Sequence, residues 1–222
     1  MTRPWETLDS VATPEGRLEL RRRGEEFVIT IGGRVLMNSA LHLTEAAVAQ
    51  AACARIAGRG RPQVLIGGLG MGYTLRAALD ALPRSAHVTV AEIDPVIVRW
   101  CQGPLAGLTG GAVKDPRVTI ALADVAQVIA GAAQEKGRRF DAIILDLYEG
   151  PREATQARED PFYGPRALEA TREALIPGGV FAVWSEDHDA AFEKRLRSAG
   201  FQVERQRPGK GGPRHVIYVA QT

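Results

Sequence analysis

Asp146 ends the apolar run of "FDAIILDLYEGP", and Glu149 follows three positions later. Two carboxylates so placed can surround a protonated amine, one attracting the cation while the other takes its proton as nitrogen attacks. A second group of interest is "VLIGGLGMGYTLR", where Gly68, Gly70 and Gly72 separate an apolar run from an amphipathic pattern. Glycines there tolerate unusual backbone angles and admit a ligand to the main chain, and the following helix start supplies amide donors. On its own such a turn fits a phosphate loop, a dinucleotide loop or a plain tight turn. No Gly-Lys-Ser/Thr follows it, and Tyr73 stands where a dinucleotide loop wants glycine. Gly68-Leu69-Gly70-Met71-Gly72 better matches the version of this turn that holds S-adenosylmethionine.

Two further acids close neighbouring apolar runs. Glu92 ends "VTVAE", about 20 residues beyond the turn, where an acid accepts both ribose hydroxyls of a nucleoside. Its alternative is a strand end left in solvent. Asp94 with Pro95 reads as a helix cap. Asp124 ends "VTIALAD", where its carboxylate or the adjacent amide can meet an adenine amino group; it can also cap the next helix, and both roles are compatible. The last run, "VFAVWSE", directs Trp184, Ser185 and Glu186 toward the same cleft. Glu186, Asp187, His188 and Asp189 are consecutive and cannot all point at one ion, so capping by Asp187 or Asp189 is expected and no metal. Tyr148 is the first candidate for a pocket wall, ahead of Tyr163, Phe162 and Tyr73.

The elements that must hold these residues alternate from Val64 onward. Continuous apolar strands separated by "TLRAALDAL", "PVIVRWC", "VAQVIAGAAQ" and "GPRALEATREAL" predict a mostly parallel sheet with helices on both faces. "FQVERQ" and "HVIYVAQ", joined by "RPGKGGP", predict an antiparallel hairpin at one edge. Before them, "GRLELRRRGEEFVITIGGRVLMNSA" alternates around Gly24 and Gly32-Gly33 and predicts two or three short antiparallel strands. "LTEAAVAQAACARIAG" then reads as a helix. In open α/β sheets ligands bind beyond the carboxyl ends of the strands, where every acid named above lies.

Composition narrows the classes. The 222 residues are 45% hydrophobic and 24% charged, an ordinary globular balance sufficient for one large domain. A formal net charge of +2, with basic runs free of interleaved aromatics, argues against a nucleic-acid binder. No apolar run approaches the roughly 20 residues that span a bilayer. "MTRPWETLDS" lacks the features of a secretory signal. A cytoplasmic protein without membrane contact is expected. Cys53 and Cys101, both in helical patterns, are expected as packed small hydrophobes.

Taken together, "VLIGGLGMGYTLR", "VAEIDPVIV", "DPRVTIALAD", "FDAIILDLYEGP" and "FYGPRALEATREALIPGGVFAVWSE" resemble the spermidine synthase-like branch of class I S-adenosylmethionine-dependent transferases. The resemblance runs from about Phe27 to the end. It implies a doubly wound, mostly parallel seven-stranded Rossmann-like sheet. Residues 1–45 would form a small N-terminal β element and 46–222 the cofactor-binding transferase domain. By position, Gly68, Leu69, Gly70, Met71, Gly72, Glu92, Ile93, Asp124 and Val125 would hold the cofactor. Asp146 would be the catalytic base, with Tyr148, Glu149, Trp184 and Glu186 around the substrate. Relatives are commonly dimers, so a homodimer is a possible expectation.

Two departures bear on the reaction. Aminopropyl-transferring relatives carry an aspartate at the place of Met71, where it binds the free amine of decarboxylated S-adenosylmethionine. Intact S-adenosylmethionine also has a carboxylate there; an acid about 4 Å away would cost on the order of a few kcal/mol at an effective dielectric near 20. In the segment before the turn, Leu43 takes the tyrosine position of the family's polyamine channel, and Glu45 is retained. The expectation from these residues is methyl transfer from intact S-adenosylmethionine to a small amine or another ionisable nucleophile. The alternative is a polyamine aminopropyltransferase using the decarboxylated donor. A non-catalytic cofactor-binding module is a third reading, disfavoured by the retained Asp146.

Overall fold

A computed structural model describes residues 3–40, 42–135, 139–147, 150–151, 159–208 and 215–222. The chain starts with an antiparallel sheet of β1 (Glu6–Thr13), β2 (Gly16–Arg23), β3 (Glu26–Ile31) and β4 (Arg34–Asn38), in sequential order. Gly32 and Gly33, at φ +54° and +81°, form the two-residue turn between β3 and β4. Positive φ at both central residues matches the strand twist of a tight hairpin. Sequence patterning anticipated two or three strands here. The structure adds β1, whose "ETLDSVAT" offers only Leu8 and Val11 as large apolar residues and so shows little alternation.

The remainder alternates: α1 (Leu43–Arg55), β5 (Gln63–Gly67), α2 (Tyr73–Ala81), β6 (His87–Glu92), α3 (Pro95–Gln102), β7 (Val118–Leu122), α4 (Val125–Gln134), β8 (Phe140–Leu145), α5 (Pro165–Ala174), β9 (Leu175–Ser185), α6 (Ala190–Ser198), β10 (Gln202–Gln206) and β11 (Val216–Gln221). The second sheet has seven strands in the order β10-β11-β9-β8-β5-β6-β7. Strands β5 to β9 are parallel, and β11 runs against β9 and β10. This is the expected class I methyltransferase-type fold.

Strand periodicity separates two cores. Val64 and Ile66 of β5 face one side with α1, α2, α3 and part of the N-terminal sheet, whereas Leu65 faces the other with residues of α4, α5 and α6. Successive strand residues point to opposite faces, so one apolar run serves both layers. The N-terminal sheet joins the first core through the buried Leu18, Leu20 and Ile29. Asp9 also fastens it to α3, accepting from Trp100 Nε1 and Arg99 at 2.7 Å each. Strand order reverses between β5 and β8, the crevice at which open α/β sheets take their ligands. Among the described residues, no helix is long and apolar enough to cross a membrane.

Candidate active site

At the carboxyl end of β5, Gly68, Gly70 and Gly72 all have positive φ, at +88°, +55° and +85°. L-residues with a Cβ resist that region, so the turn's shape demands glycine. Packing adds a second demand at Gly68, where a Cβ would lie 2.7 Å from the Asp146 carbonyl oxygen. The turn is thereby seated directly on the end of β8, and Gly72 starts α2.

Glu92 is buried at the end of β6, and both its oxygens bind backbone. Oε2 accepts the Leu69 N–H at 2.9 Å and Oε1 the Asp94 N–H at 2.9 Å. A solvated strand end is thus excluded: the acid braces the glycine turn and still lines the cleft beside it. Asp94 caps α3 by accepting the Val96 N–H at 2.8 Å, with Pro95 in the first turn. Asp124 caps α4 through the Ala126 N–H at 2.8 Å and lines the same cleft.

The cleft has two lobes that meet at the glycine turn. One, of about 420 Å³, lies over β6 and β7 and is lined by Glu92, Ile93, Asp124 and Val125 together with Gly68 and Phe162. The other, of about 300 Å³, lies toward β9 and β11 and is lined by Leu69, Met71, Tyr73, Glu45, Trp184 and Glu186, with His215 beyond them. Gly70, Met37, Asp146 and Leu147 border both lobes. Every cofactor candidate therefore borders the cleft except Gly72, which shapes the turn. Ile93 is 73% exposed, an apolar rim beside the buried Glu92.

Asp146 occupies the junction. Burial pushes its carboxyl up to about 7; the Thr74 hydroxyl donates to its Oδ2 and opposes that shift, while nearby Glu45 adds to it. A carboxylate with that affinity for protons is poised to exchange one near neutrality. Glu45, in the first turn of α1, puts a second carboxylate in the smaller lobe, and Glu186 puts a third there.

Several expected residues fall elsewhere. Ser185 faces away from the cleft, buried, with its hydroxyl donating to the Asp187 carbonyl at 2.6 Å. Strand alternation is the reason, since Trp184 and Glu186 occupy the opposite face. Tyr163 is buried in the second core, edge-on to Phe192 at 5.4 Å, and lines neither lobe. Asp189 caps α6 through the Phe192 N–H at 2.9 Å. Tyr148 and Glu149 lie outside the described residues. Conversely, Thr74, Met37 and His215 border or brace the site without having been singled out. Thr74 was findable in principle: a hydroxyl in the first helical turn after the glycines faces the adjacent strand end.

No family model matches the chain. Among curated proteins it is 29% identical over 150 residues to a polyamine aminopropyltransferase of Mycobacterium tuberculosis, covering 65% of this chain and 28% of that protein. The chain thus aligns to less than a third of that relative's length. Among solved structures, the spermidine synthase from Thermotoga maritima superposes with a TM-score of 0.74 at 20% identity, covering 97% of this chain and 72% of that one. Human methyltransferase-like protein 13, solved in complex with SAH, superposes with a TM-score of 0.60 at 20% identity, covering 81% and 79%. The chain has a spermidine synthase-like fold of the class I S-adenosylmethionine-dependent type, and its similarities are to transferases.

Proposed function

We propose that this protein transfers the aminopropyl group of decarboxylated S-adenosylmethionine to a small amine. The observation that carries the reading is the acid-lined lobe that opens from the glycine turn, with Asp146 at its mouth and Glu45 and Glu186 along it. The aminopropyltransferase relative supports that choice over the methyl transfer first expected from Met71.

The turn suits a nucleoside donor on two grounds. Its glycines leave backbone open beside both lobes, and Glu92 keeps a buried carboxylate at the end of β6, about where ribose hydroxyls would seek acceptors. The bound donor supplies an electrophilic carbon beside a sulfonium and a neutral thioether leaving group. The protein's work is therefore positioning, exclusion of water and handling of one proton. Asp146 and Glu186 hold the incoming ammonium by charge. Asp146 takes its proton as nitrogen bonds to carbon and the carbon–sulfur bond breaks, its electron pair staying on sulfur. Met71 gives no charge to the donor's tail, so Glu45 in the same lobe receives the donor's ammonium.

Met71 favours one other reading. An apolar side chain at that place tolerates the carboxylate of intact S-adenosylmethionine, and methyl transfer would follow. Calorimetry with the two donors separates the readings. The proposal expects the decarboxylated form to bind at least tenfold tighter, and Met71→Asp to widen that preference several-fold. Tighter binding of the intact donor by the wild-type protein overturns it.

A further inference from the structure

Tyr73 opens α2 directly after the glycine turn, at the place where a dinucleotide loop carries glycine. Its half-buried ring lines the smaller lobe, and its closest partners lie between β4 and α1. There it stacks on His42, with ring centroids 4.3 Å apart and planes at 17°. Its hydroxyl donates to the Ser39 carbonyl at 3.2 Å. The same carbonyl accepts from His42 Nδ1 at 2.9 Å, so that nitrogen carries a proton. Ser39 is fastened in turn to β3: its N–H donates to the Phe27 carbonyl at 2.9 Å, and its Oγ accepts the Phe27 N–H at 2.8 Å. From His42 the chain enters α1, the His42 carbonyl accepting the Ala46 N–H at 3.2 Å. A ring stacked on His42 therefore sets where α1 begins.

The first turn of α1 carries Glu45, which borders the lobe. The Thr44 hydroxyl donates to its Oε2 at 3.1 Å. Its carbonyl lies 3.3 Å from the Thr74 hydroxyl, the group that donates to Asp146. One hydroxyl thus brings the Glu45 backbone and the Asp146 carboxyl together. Carboxylates so placed repel, and a glutamate escapes to solvent unless its backbone is held. The other neighbours of Asp146 do not offset that charge. Burial keeps the nearby Tyr163 phenol neutral, and Glu186 and His215 share the lobe. Glu15, Glu92, Asp94 and Asp124 border the other lobe. Among the described residues, no lysine or arginine lines either one.

We propose that Tyr73 is a positioning residue for Asp146 that acts through Glu45: its ring and hydroxyl fix the start of α1 and so hold the Glu45 carboxylate beside the base. This rests on the role of Asp146 in the proposed reaction. The influence arrives as charge. Glu45 adds to burial in raising the proton affinity of Asp146. Releasing α1 from the stack lets Glu45 withdraw, and the carboxyl of Asp146 then ionises at lower pH.

The test titrates Asp146 in the intact protein by carboxyl NMR, its signal identified by loss in Asp146→Asn. Wild type should titrate near 7. Tyr73→Leu, with folding checked by circular dichroism, should lower the midpoint by at least about half a pH unit, and Tyr73→Phe, which keeps the stack, by less. His42→Ala should lower it in the same direction. Glu45→Gln should lower it alone, and adding Tyr73→Leu should then move it no further, because the coupling runs through that charge. The rising limb of kcat/KM against pH should follow the same shifts. An unchanged midpoint in folded Tyr73→Leu, or in His42→Ala where Tyr73→Leu does not fold, overturns the proposal. So does a full shift that persists in the Glu45→Gln background, which marks water entering beside Asp146 rather than a lost charge. The titration needs neither donor nor amine, so it decides the part of Tyr73 even where amine transfer fails.

Discussion

Asp146 gathers most of the site's chemistry into one titration. Burial raises its carboxyl from the ordinary 3.8 to about 7, so the charged form competent as a base is gained as pH rises through neutrality. Turnover should therefore climb on a limb with a midpoint near 7. Folding stability moves the other way. The unfolded chain ionises this group first, so the stability linked to it is complete below about pH 4 and is lost as pH rises through 7. Asp146→Asn should accordingly lower kcat/KM roughly 100- to 10,000-fold and lose less stability than wild type between pH 5 and 8. Thr74 supplies a sharper check. A hydrogen bond to a charged group contributes about 1.5–3 kcal/mol, equivalent to roughly one to two pH units. Thr74→Val should move the activity limb upward by about that amount, whereas Thr74→Ser should keep it near 7. A pH–rate profile left in place by Thr74→Val contradicts this role. Asp146, Glu92 and Asp124 were legible in the sequence because each closes an apolar run. Thr74 was harder to single out, since it sits in the first turn of α2 and its partner stands 72 positions away, just past the end of β8. Ser185 was grouped with Trp184 and Glu186 although consecutive strand residues point to opposite faces, and the buried Ser185 follows that alternation.

Among the elements, the glycine turn makes the most discriminating claim. Gly68 and Gly33 both have positive φ, +88° and +81°, so alanine is strained at both. Only at Gly68 does the new Cβ meet a backbone atom, the Asp146 carbonyl oxygen at 2.7 Å; at Gly33 nothing lies within 4 Å. Gly68→Ala should therefore lose about 1–3 kcal/mol more than Gly33→Ala in urea denaturation and should also depress turnover by shifting Asp146. Equal losses would mean that the turn does not rest on β8 as described. Strands β5 and β8 were readable because nearly every residue is apolar and buried, and β6 and β9 because each carries a buried apolar run, Val88–Ala91 broken only by Thr89 and Val180–Val183. β1 was not, because its residues are half-exposed and only Leu8 and Val11 mark its inward face. Its pairing with β2 supplies what the side chains do not.

For the molecule as a whole, the doubly wound sheet follows from strand and helix alternation, but the placement of the small N-terminal sheet does not. Asp9 reaches Trp100 across 91 residues, and Met37 of β4 arrives over Gly70, where it borders both lobes. No local pattern encodes such contacts; they arise when two sheets share one core. Their consequence is that the N-terminal sheet borders both lobes of the cleft. The central claim, that this cleft joins a decarboxylated sulfonium donor to an amine, is tested most directly by product mass. The protein is incubated with a short diamine and equal amounts of intact and decarboxylated S-adenosylmethionine, the transferable groups carrying different isotopes. The account predicts a diamine bearing the labelled aminopropyl group, with methylthioadenosine released in equal amount. A diamine bearing only the labelled methyl group, or no labelled amine at all, would contradict it.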